Sequence, residues 1–349
     1  MFEKRELKAG VTREAEPMLA PGGVFASNTS TLPITGLAEA SATPEHFIGL
    51  HFFSPVHKMK LVEIIRGKRT SDETVARAFD FVTALGKLPI VVNDSRGFFT
   101  SRVFGTFVME GATMLAEGLP APLIEHAALE AGMPVGPLAV LDETSLALSV
   151  HVMDQTRADM AAAGKPFEPG VGELLVERMV KELKRPGRAG GGGFYDYPAG
   201  APKHLWPELK ARFEREGAQV SFNALKQRLL YRQAIETARC QTEGVLTSTS
   251  DANIGSIFGI GFPAWTGGAM QFIESEGRAQ FMANADALAA QHGARFALSD
   301  AVRACLAQLP AGGRSGQSKE PRMRGSLDRL MRLTSGSRPT APVVSLRLR

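Results

Sequence analysis

The sequence predicts an α/β region followed by an all-α region. Over the first 97 residues, short apolar runs bounded by turn residues alternate with amphipathic segments, which is typical of strands and helices in a packed sheet. After Gly97 the apolar residues recur at helical spacing, and everything that follows is helical in pattern. With 349 residues, of which 44% are hydrophobic and 22% charged, the chain has the composition of a globular protein with two or three domains.

The chain opens with a predicted helix over residues 3–19, where apolar residues recur every four positions. Gly22 and Gly23 end this helix, and residues 24–26 form a short buried strand. The polar cluster Ser27–Ser30 follows, ahead of a helix that runs to about residue 41. Ligands of open α/β sheets bind at the carboxyl ends of strands, so this cluster is a candidate binding site. Capping of the following helix is the alternative interpretation.

Two further predicted strands, at residues 47–53 and 61–65, place His51 and Glu63 twelve positions apart. If the strands pair, Glu63 can bind one imidazole nitrogen, fix the tautomer and raise the basicity of the other nitrogen. A general base that works near neutral pH requires this arrangement. A structural histidine beside the sheet is the alternative interpretation.

The segments after residue 65 complete the sheet and then form helices. A helix at 72–85 and a strand at 89–92 complete a β-α-β pattern, which predicts parallel pairing. The glycine run at 188–193 lacks the preceding strand and the GKS or GKT ending of a phosphate loop, and it is interpreted as a flexible surface turn. The glycine-punctuated stretch at 252–265 is interpreted as a tightly packed helix junction. Further helices are predicted at 98–117, 122–131, 139–160, 171–183 and 222–243, with a last pair within 272–292.

The charge of the chain is uneven. The net charge is +4, but residues 310–349 hold nine Lys or Arg against two acidic residues, a balance of +7, so residues 1–309 carry about −3. Nucleic-acid binding therefore has no support in the folded part, and residues 310–349 have the composition of a basic disordered tail. Cys240 and Cys305 have neither metal-ligand nor CxxC spacing. No apolar run reaches the ~18 residues of a membrane span, and a cytoplasmic protein without a signal peptide is expected.

Five stretches agree in order and spacing with one protein family: SNTST (27–31), LHFFSPVHKMKLVEII (50–65), NDSRGFF (93–99), GMPVGPL (132–138) and GFYDYP (193–198). The chain resembles the L-3-hydroxyacyl-CoA dehydrogenases, specifically the dehydrogenase half of the multifunctional fatty-acid oxidation complex alpha subunit. RLLYRQAIETARCQTEGV and GSIFGIGFPAWTGG match a second helical repeat of that subunit. The resemblance implies part of a Rossmann-type parallel sheet at 1–97, helical C-terminal repeats at 98–198 and 199–309, and an unmatched tail at 310–349.

The resemblance implies NAD-dependent oxidation of an L-3-hydroxyacyl-CoA to a 3-ketoacyl-CoA in fatty-acid β-oxidation. His51 matches the family's catalytic histidine, which takes the proton of the 3-hydroxyl, and Glu63 matches its carboxylate partner. Ser30 matches a serine between substrate and nicotinamide, and Ser101 stands where most members have an asparagine that positions the substrate. The residues matched to the cofactor side are Glu3, Lys8, Ser30 and Ser54, the last at a position where many members have asparagine.

The family's G-x-G-x-x-G turn, with the strand before it, has no match in this chain. We therefore expect an N-terminally truncated dehydrogenase that binds NAD weakly on its own, because the pyrophosphate contacts are missing. The alternative function is a noncatalytic remnant that forms a homodimer through its helical domains or docks onto a partner such as a thiolase. A two-domain dehydrogenase acting on a phosphosugar acid is disfavoured, because the chain lacks a catalytic-lysine motif and matches LHFFSPV.

Overall fold

The computed structural model describes residues 4–162, 164–215, 217 and 220–308. Within these residues, the main sheet has four strands in the order β1-β2-β3-β4: β1 at Phe25–Ser27, β2 at Phe47–Phe52, β3 at Leu61–Arg66 and β4 at Leu88–Asn93. Helix α1 precedes the sheet, α2 follows β1, and α3 connects β3 to β4; their bounds are Arg5–Ala15, Ile34–Leu37 and Asp72–Ala84. The predicted α/β character of this region is confirmed.

The sheet is mixed rather than wholly parallel. The pairs β1-β2 and β3-β4 are parallel, as the β-α-β pattern predicts, but β2 and β3 run antiparallel. Only residues 53–60 connect β2 to β3, which is too short for the crossover of about a dozen residues that parallel neighbours require. The parallel pairing predicted from the β-α-β segment is thus confirmed for β3 and β4, whereas the sequence pattern set no direction for β2 and β3. The antiparallel register places His51 directly opposite Glu63.

The alternation of side chains along β2 and β3 determines which face of the sheet carries His51 and Glu63. One face carries even-numbered apolar residues, which pack on α3: Ile48, Leu50, Val62 and Ile64. The opposite face carries odd-numbered residues, which join the core shared with the helical region: Phe47, Leu61 and Ile65. Successive strand residues face opposite sides of a sheet, so His51 and Glu63 lie on the helical side. A one-residue slip would exchange the two apolar sets, and this fixes the register.

The rest of the described chain is mainly helical, as the sequence predicts. The central helices α4 and α10 pack against each other. A buried ionic contact joins them, in which Arg228 Nε on α10 donates to Glu110 Oε1 on α4 at 2.7 Å. Arg295, between α13 and α14, donates from Nε to Glu110 Oε2 at 2.7 Å. The helices of this region are α4 (Thr100–Ala116), α5 (Ala121–Ala131), α6 (Pro137–Thr144), α7 (Leu146–Ala162), α8 (Val171–Lys181), α9 (Glu208–Phe213), α10 (Phe222–Thr242), α11 (Thr249–Ile260), α12 (Ala269–Glu276), α13 (Arg278–His292) and α14 (Asp300–Gln308).

Several elements differ from the prediction. The helix expected at 139–160 is broken between α6 and α7, where Ser145 adopts a φ of +82°. The backbone N–H of Ala147 there donates to the carbonyl of Pro186, so a neighbouring loop replaces the intrahelical partner. Helices α9 and α14 and a small antiparallel pair, β5 (Tyr195–Asp196) with β6 (His204–Leu205), were not predicted. Short elements bury little surface of their own, so they leave a weak sequence pattern.

The two glycine-rich stretches agree with the prediction in part, since Gly192 and Gly193 of the expected surface turn are buried. Residues 188–191 form an exposed turn that leads into β5. In the stretch 252–265, Gly255 and Gly259 of α11 are pressed against the sheet region: an added Cβ would lie 2.7 Å from Phe99 at the first and 2.7 Å from Leu61 at the second. Close packing of α11 on the sheet is thus confirmed, although most of this stretch is helix rather than junction. The disordered tail expected at 310–349 lies outside the described residues.

Candidate active site

His51 and Glu63 form a buried hydrogen-bonded pair. The imidazole Nδ1 lies 2.9 Å from Glu63 Oε2, and the relative exposures of the two residues are 6% and 0%. A carboxylate can only accept a hydrogen bond, so Nδ1 carries the proton and Nε2 is the basic nitrogen. The contact that the sequence predicts between these residues is present.

The N-terminus of α4 holds the Glu63 carboxylate from the other side. Glu63 Oε1 accepts hydrogen bonds from the backbone N–H of Phe99 at 2.9 Å and of Thr100 at 3.1 Å. The preceding residues Gly97 and Phe98 have φ values of +72° and +50°, so the chain turns sharply just before the helix starts. The first N–H groups of a helix have no intrahelical partner and favour negative charge. This turn therefore places an anion-stabilising helix end against a buried carboxylate.

Apolar groups surround the pair. The His51 ring centroid lies 4.4 Å from that of Phe53 and 6.2 Å from that of Phe98. Helix α11 lies close by: a Cβ at Gly259 would meet Leu61, Thr100 and Phe53. Water is kept from the Nδ1–Oε2 hydrogen bond, which strengthens it relative to the same contact in solvent.

A cleft of about 320 Å³ lies at the carboxyl end of β1. Its lining includes Lys8 and Thr12 of α1, residues 27–30 and Phe52, which follows His51. Lys8 is 3% exposed, and its Nζ donates to the backbone carbonyl of Asn28 at 2.8 Å. Asn28 Oδ1 in turn accepts from the backbone N–H of Phe52 at 3.2 Å. The SNTS cluster and α1 thus form one wall next to the His51 strand.

The structure places the residues that the sequence singles out as follows. Lys8 and Ser30 line the cleft, and Ser30 is exposed. Ser101 is the second residue of α4 and is half-buried, one position after a residue that binds Glu63. Ser54 is exposed in the connection between β2 and β3. Glu3 lies outside the described residues.

Sequence reasoning missed two residues that organise the site. Thr100 binds Glu63 through both its N–H and its side-chain hydroxyl, and Asn28 bridges Lys8 to the backbone of β2. Asn28 lies inside SNTST, and Thr100 directly follows the NDSRGFF stretch. The Thr100–Glu63 and Asn28–Lys8 contacts span 37 and 20 positions, however, and no local sequence pattern predicts them.

No group of three or more His, Cys, Asp or Glu side chains is placed to hold a metal ion in the part of the chain that the structure describes. In the same residues no helix is both long and apolar enough to cross a membrane.

Comparison with known proteins identifies the family. The 3-hydroxyacyl-CoA dehydrogenase NAD binding domain matches residues 1–95, and the 3-hydroxyacyl-CoA dehydrogenase C-terminal domain matches residues 97–197. A fatty acid oxidation complex subunit alpha from Shewanella putrefaciens is 36% identical over 303 residues, which cover 85% of this chain and 41% of the relative. The chain thus spans about two fifths of the length of that curated relative.

Solved structures agree with this assignment. The (S)-3-hydroxybutyryl-CoA dehydrogenase from Ralstonia eutropha is 33% identical, with a TM-score of 0.51 over 56% of this chain and 68% of its own. A 3-hydroxybutyryl-CoA dehydrogenase from Escherichia coli shares the fold, with a TM-score of 0.70 over 88% of this chain and 80% of its own at 20% identity. The family resemblance drawn from the motifs is confirmed. The chain belongs to the 3-hydroxyacyl-CoA dehydrogenase family, with an NAD binding domain followed by a helical C-terminal domain.

Proposed function

We propose that the chain catalyses the NAD-dependent oxidation of an L-3-hydroxyacyl-CoA to the 3-ketoacyl-CoA, as a step of fatty-acid β-oxidation. The single observation that carries the proposal is the buried pair in which His51 Nδ1 lies 2.9 Å from Glu63 Oε2. A surface histidine would not need a carboxylate that is itself held by two backbone N–H groups. This extra support is what a general base of fixed orientation requires.

His51 is the general base of this proposal. The Glu63 contact keeps the proton on Nδ1, so Nε2 accepts the proton of the substrate 3-hydroxyl as C3 loses its hydride. The oxygen keeps the electrons of its O–H bond and forms the C=O bond of the ketone. The Glu63 carboxylate stabilises the imidazolium that results, as buried carboxylates do for histidine bases elsewhere.

The residues at the cleft fit the nicotinamide end of the cofactor. A volume of about 320 Å³ is at the lower limit for a small-molecule site, so it suits part of a dinucleotide rather than all of it. Lys8 and Ser30 would hold the nicotinamide ribose side, and Ser54 would contact the cofactor from the β2–β3 connection. Bound NAD supplies the hydride acceptor. Glu3, which the sequence motif also assigns to this side, remains a prediction.

Two serines are proposed to orient the substrate. The exposed hydroxyl of Ser30 can donate to, or accept from, the 3-oxygen as it changes from alcohol to carbonyl. Ser101 lies on the first turn of α4, next to the Glu63 contacts. It would position the acyl-CoA from the side of the helical region.

The organisation of the chain is part of the same proposal. We assign residues 1–97 to the cofactor domain, 98–198 to the first helical domain and 199–309 to a second helical repeat. Homodimer formation through the helical domains, association with a thiolase subunit and a cytoplasmic location are proposed from the family. The Shewanella putrefaciens relative is described as a subunit of a fatty acid oxidation complex.

A steady-state assay tests the proposal. The wild-type chain, incubated with acetoacetyl-CoA and NADH, should oxidise NADH, and His51→Ala should reduce the rate by roughly 10³-fold or more. His126→Ala is a matched control, because His126 on α5 has a side-chain exposure of 62% and lies in another part of the chain. If the wild type shows neither a rate nor NADH binding, the enzymatic proposal fails and the docking-module alternative takes its place.

A further inference from the structure

The side chain of Thr100 makes a contact with Glu63 that the general-base scheme does not use. Its Oγ1 donates to Glu63 Oε2 at 2.5 Å, the same oxygen that lies 2.9 Å from His51 Nδ1. Thr100 is fully buried, with a relative exposure of 0%. One carboxylate oxygen therefore receives two donors, while the other oxygen receives two backbone N–H groups.

The hydroxyl has one proton to donate, and geometry decides where it goes. Thr100 Oγ1 lies 3.4 Å from His51 Nδ1, which is long for a hydrogen bond between these atoms, and Nδ1 is itself a donor toward Glu63. Glu63 Oε2, at 2.5 Å from Thr100 Oγ1, is the stronger acceptor for this proton. The hydroxyl thus fixes the rotation of the Glu63 carboxylate and shares the oxygen that orients His51.

Helix α11 fixes the orientation of Thr100. A Cβ placed at Gly259 would lie 3.2 Å from Thr100 Cγ2, so the methyl group faces the glycine of α11 while the hydroxyl faces Glu63. A β-branched side chain has few χ1 choices, and packing on both branches leaves one. Helix α11 therefore acts on the His51–Glu63 pair through Thr100.

We propose that Thr100 is a positioning residue for the dehydrogenase reaction, which sets the orientation of Glu63 and, through it, of His51. This inference rests on the proposed role of His51 as general base. Its specific content is that the hydroxyl, and not only the volume or the backbone N–H of this residue, is required.

Three variants of the full chain separate the hydroxyl from packing. Thr100→Val keeps the shape and removes the hydroxyl, and Thr100→Ser restores the hydroxyl. Thr106→Val is the control, since Thr106 on the same helix donates only to the backbone carbonyl of Val103 among its recorded contacts. We expect Thr100→Val to lower kcat about tenfold with KM within about twofold, as loss of one hydrogen bond to a charged group predicts. Thr100→Ser and Thr106→Val should stay within about threefold of the wild type in kcat.

A spectroscopic measurement distinguishes failure of this inference from failure of the proposed function. In ¹⁵N-histidine-labelled protein, the Nδ1 proton resonance of His51 should move downfield in Thr100→Val, because Glu63 Oε2 then has one donor instead of two, and should return in Thr100→Ser. This result would support the positioning role even if the wild type showed no dehydrogenase rate. An unchanged resonance and an unchanged kcat in a folded Thr100→Val protein would overturn the inference, as would an equal change in Thr106→Val.

Discussion

Replacement of Glu63 by glutamine should abolish most of the activity while leaving the chain folded. The carboxylate accepts four hydrogen bonds, two on each oxygen. In Glu63→Gln the amide oxygen can keep the backbone donors of Phe99 and Thr100, but the amide nitrogen then faces His51 Nδ1. Two donors cannot share a hydrogen bond, so the imidazole must move its proton to Nε2, which can then no longer accept the substrate proton.

The size of the effect follows from this change of tautomer. In another enzyme, the corresponding change of a carboxylate to its amide beside a catalytic histidine lowers kcat by roughly 10⁴-fold, equivalent to about 5 kcal/mol in the activation free energy. The free energy of unfolding should fall by only about 1–3 kcal/mol, because hydrogen bonds to a charged group are replaced by neutral ones. The Glu63→Gln protein should therefore lose most of its activity and remain folded.

The assay measures the reduction of acetoacetyl-CoA through the decrease in NADH absorbance. Urea unfolding is measured on the same preparations. Glu73→Gln is the matched control, because Glu73 is an exposed residue in the first turn of α3 and undergoes the same chemical change. A folded Glu63→Gln protein that keeps kcat within a few-fold of the wild type would show that the Glu63 carboxylate does not set the tautomer of His51.

Three other changes test the packing and electrostatics around the site. Glu110→Gln removes the negative charge beside Arg228, which is 1% exposed, and should lower the free energy of unfolding by about 3 kcal/mol in urea. Burial raises the pKa of Asp142 to about 6. The protonated carboxyl therefore contributes to the free energy of unfolding below about pH 4, and this contribution, roughly 3 kcal/mol, is lost as the pH rises to about 6. Urea unfolding at several pH values should show the wild type losing stability relative to Asp142→Asn over this window, and parallel curves would contradict this. Gly259→Ala should lower the free energy of unfolding by about 1–3 kcal/mol and lower kcat. Gly105→Ala is the control: its added Cβ has no atom within 4 Å, so thermal unfolding should show a neutral or slightly stabilising effect.

The central pair could be predicted because it depends on local information. His51 and Glu63 lie on adjacent strands joined by a short connection, so their spacing alone limits the register in which they meet. The antiparallel direction of this pair follows from the same short connection, which cannot hold a crossover. The α/β to all-α order was also predictable, since each long helix carries its own periodic pattern.

The support around the pair could not be predicted, because it comes from distant parts of the chain. Thr100 lies 37 positions from Glu63, and its role depends on the backbone turn at Phe98 and on the packing of α11. The break at Ser145 likewise depends on a carbonyl of Pro186, 39 positions away from the Ala147 that it binds. Tertiary contacts of this kind override local propensity and leave no periodic signal.

A single-turnover measurement of hydride transfer on the full chain tests the role of the His51–Glu63 pair most directly. NADH is bound first and its binding is measured by fluorescence. Acetoacetyl-CoA is then added, and the loss of NADH is followed for the wild type and for His51→Ala. We expect NADH binding to stay within a few-fold in the variant while the transfer rate falls by roughly 10³-fold or more. Equal transfer rates in the two proteins, or no transfer by the NADH-bound wild type, would contradict the role of the His51–Glu63 pair.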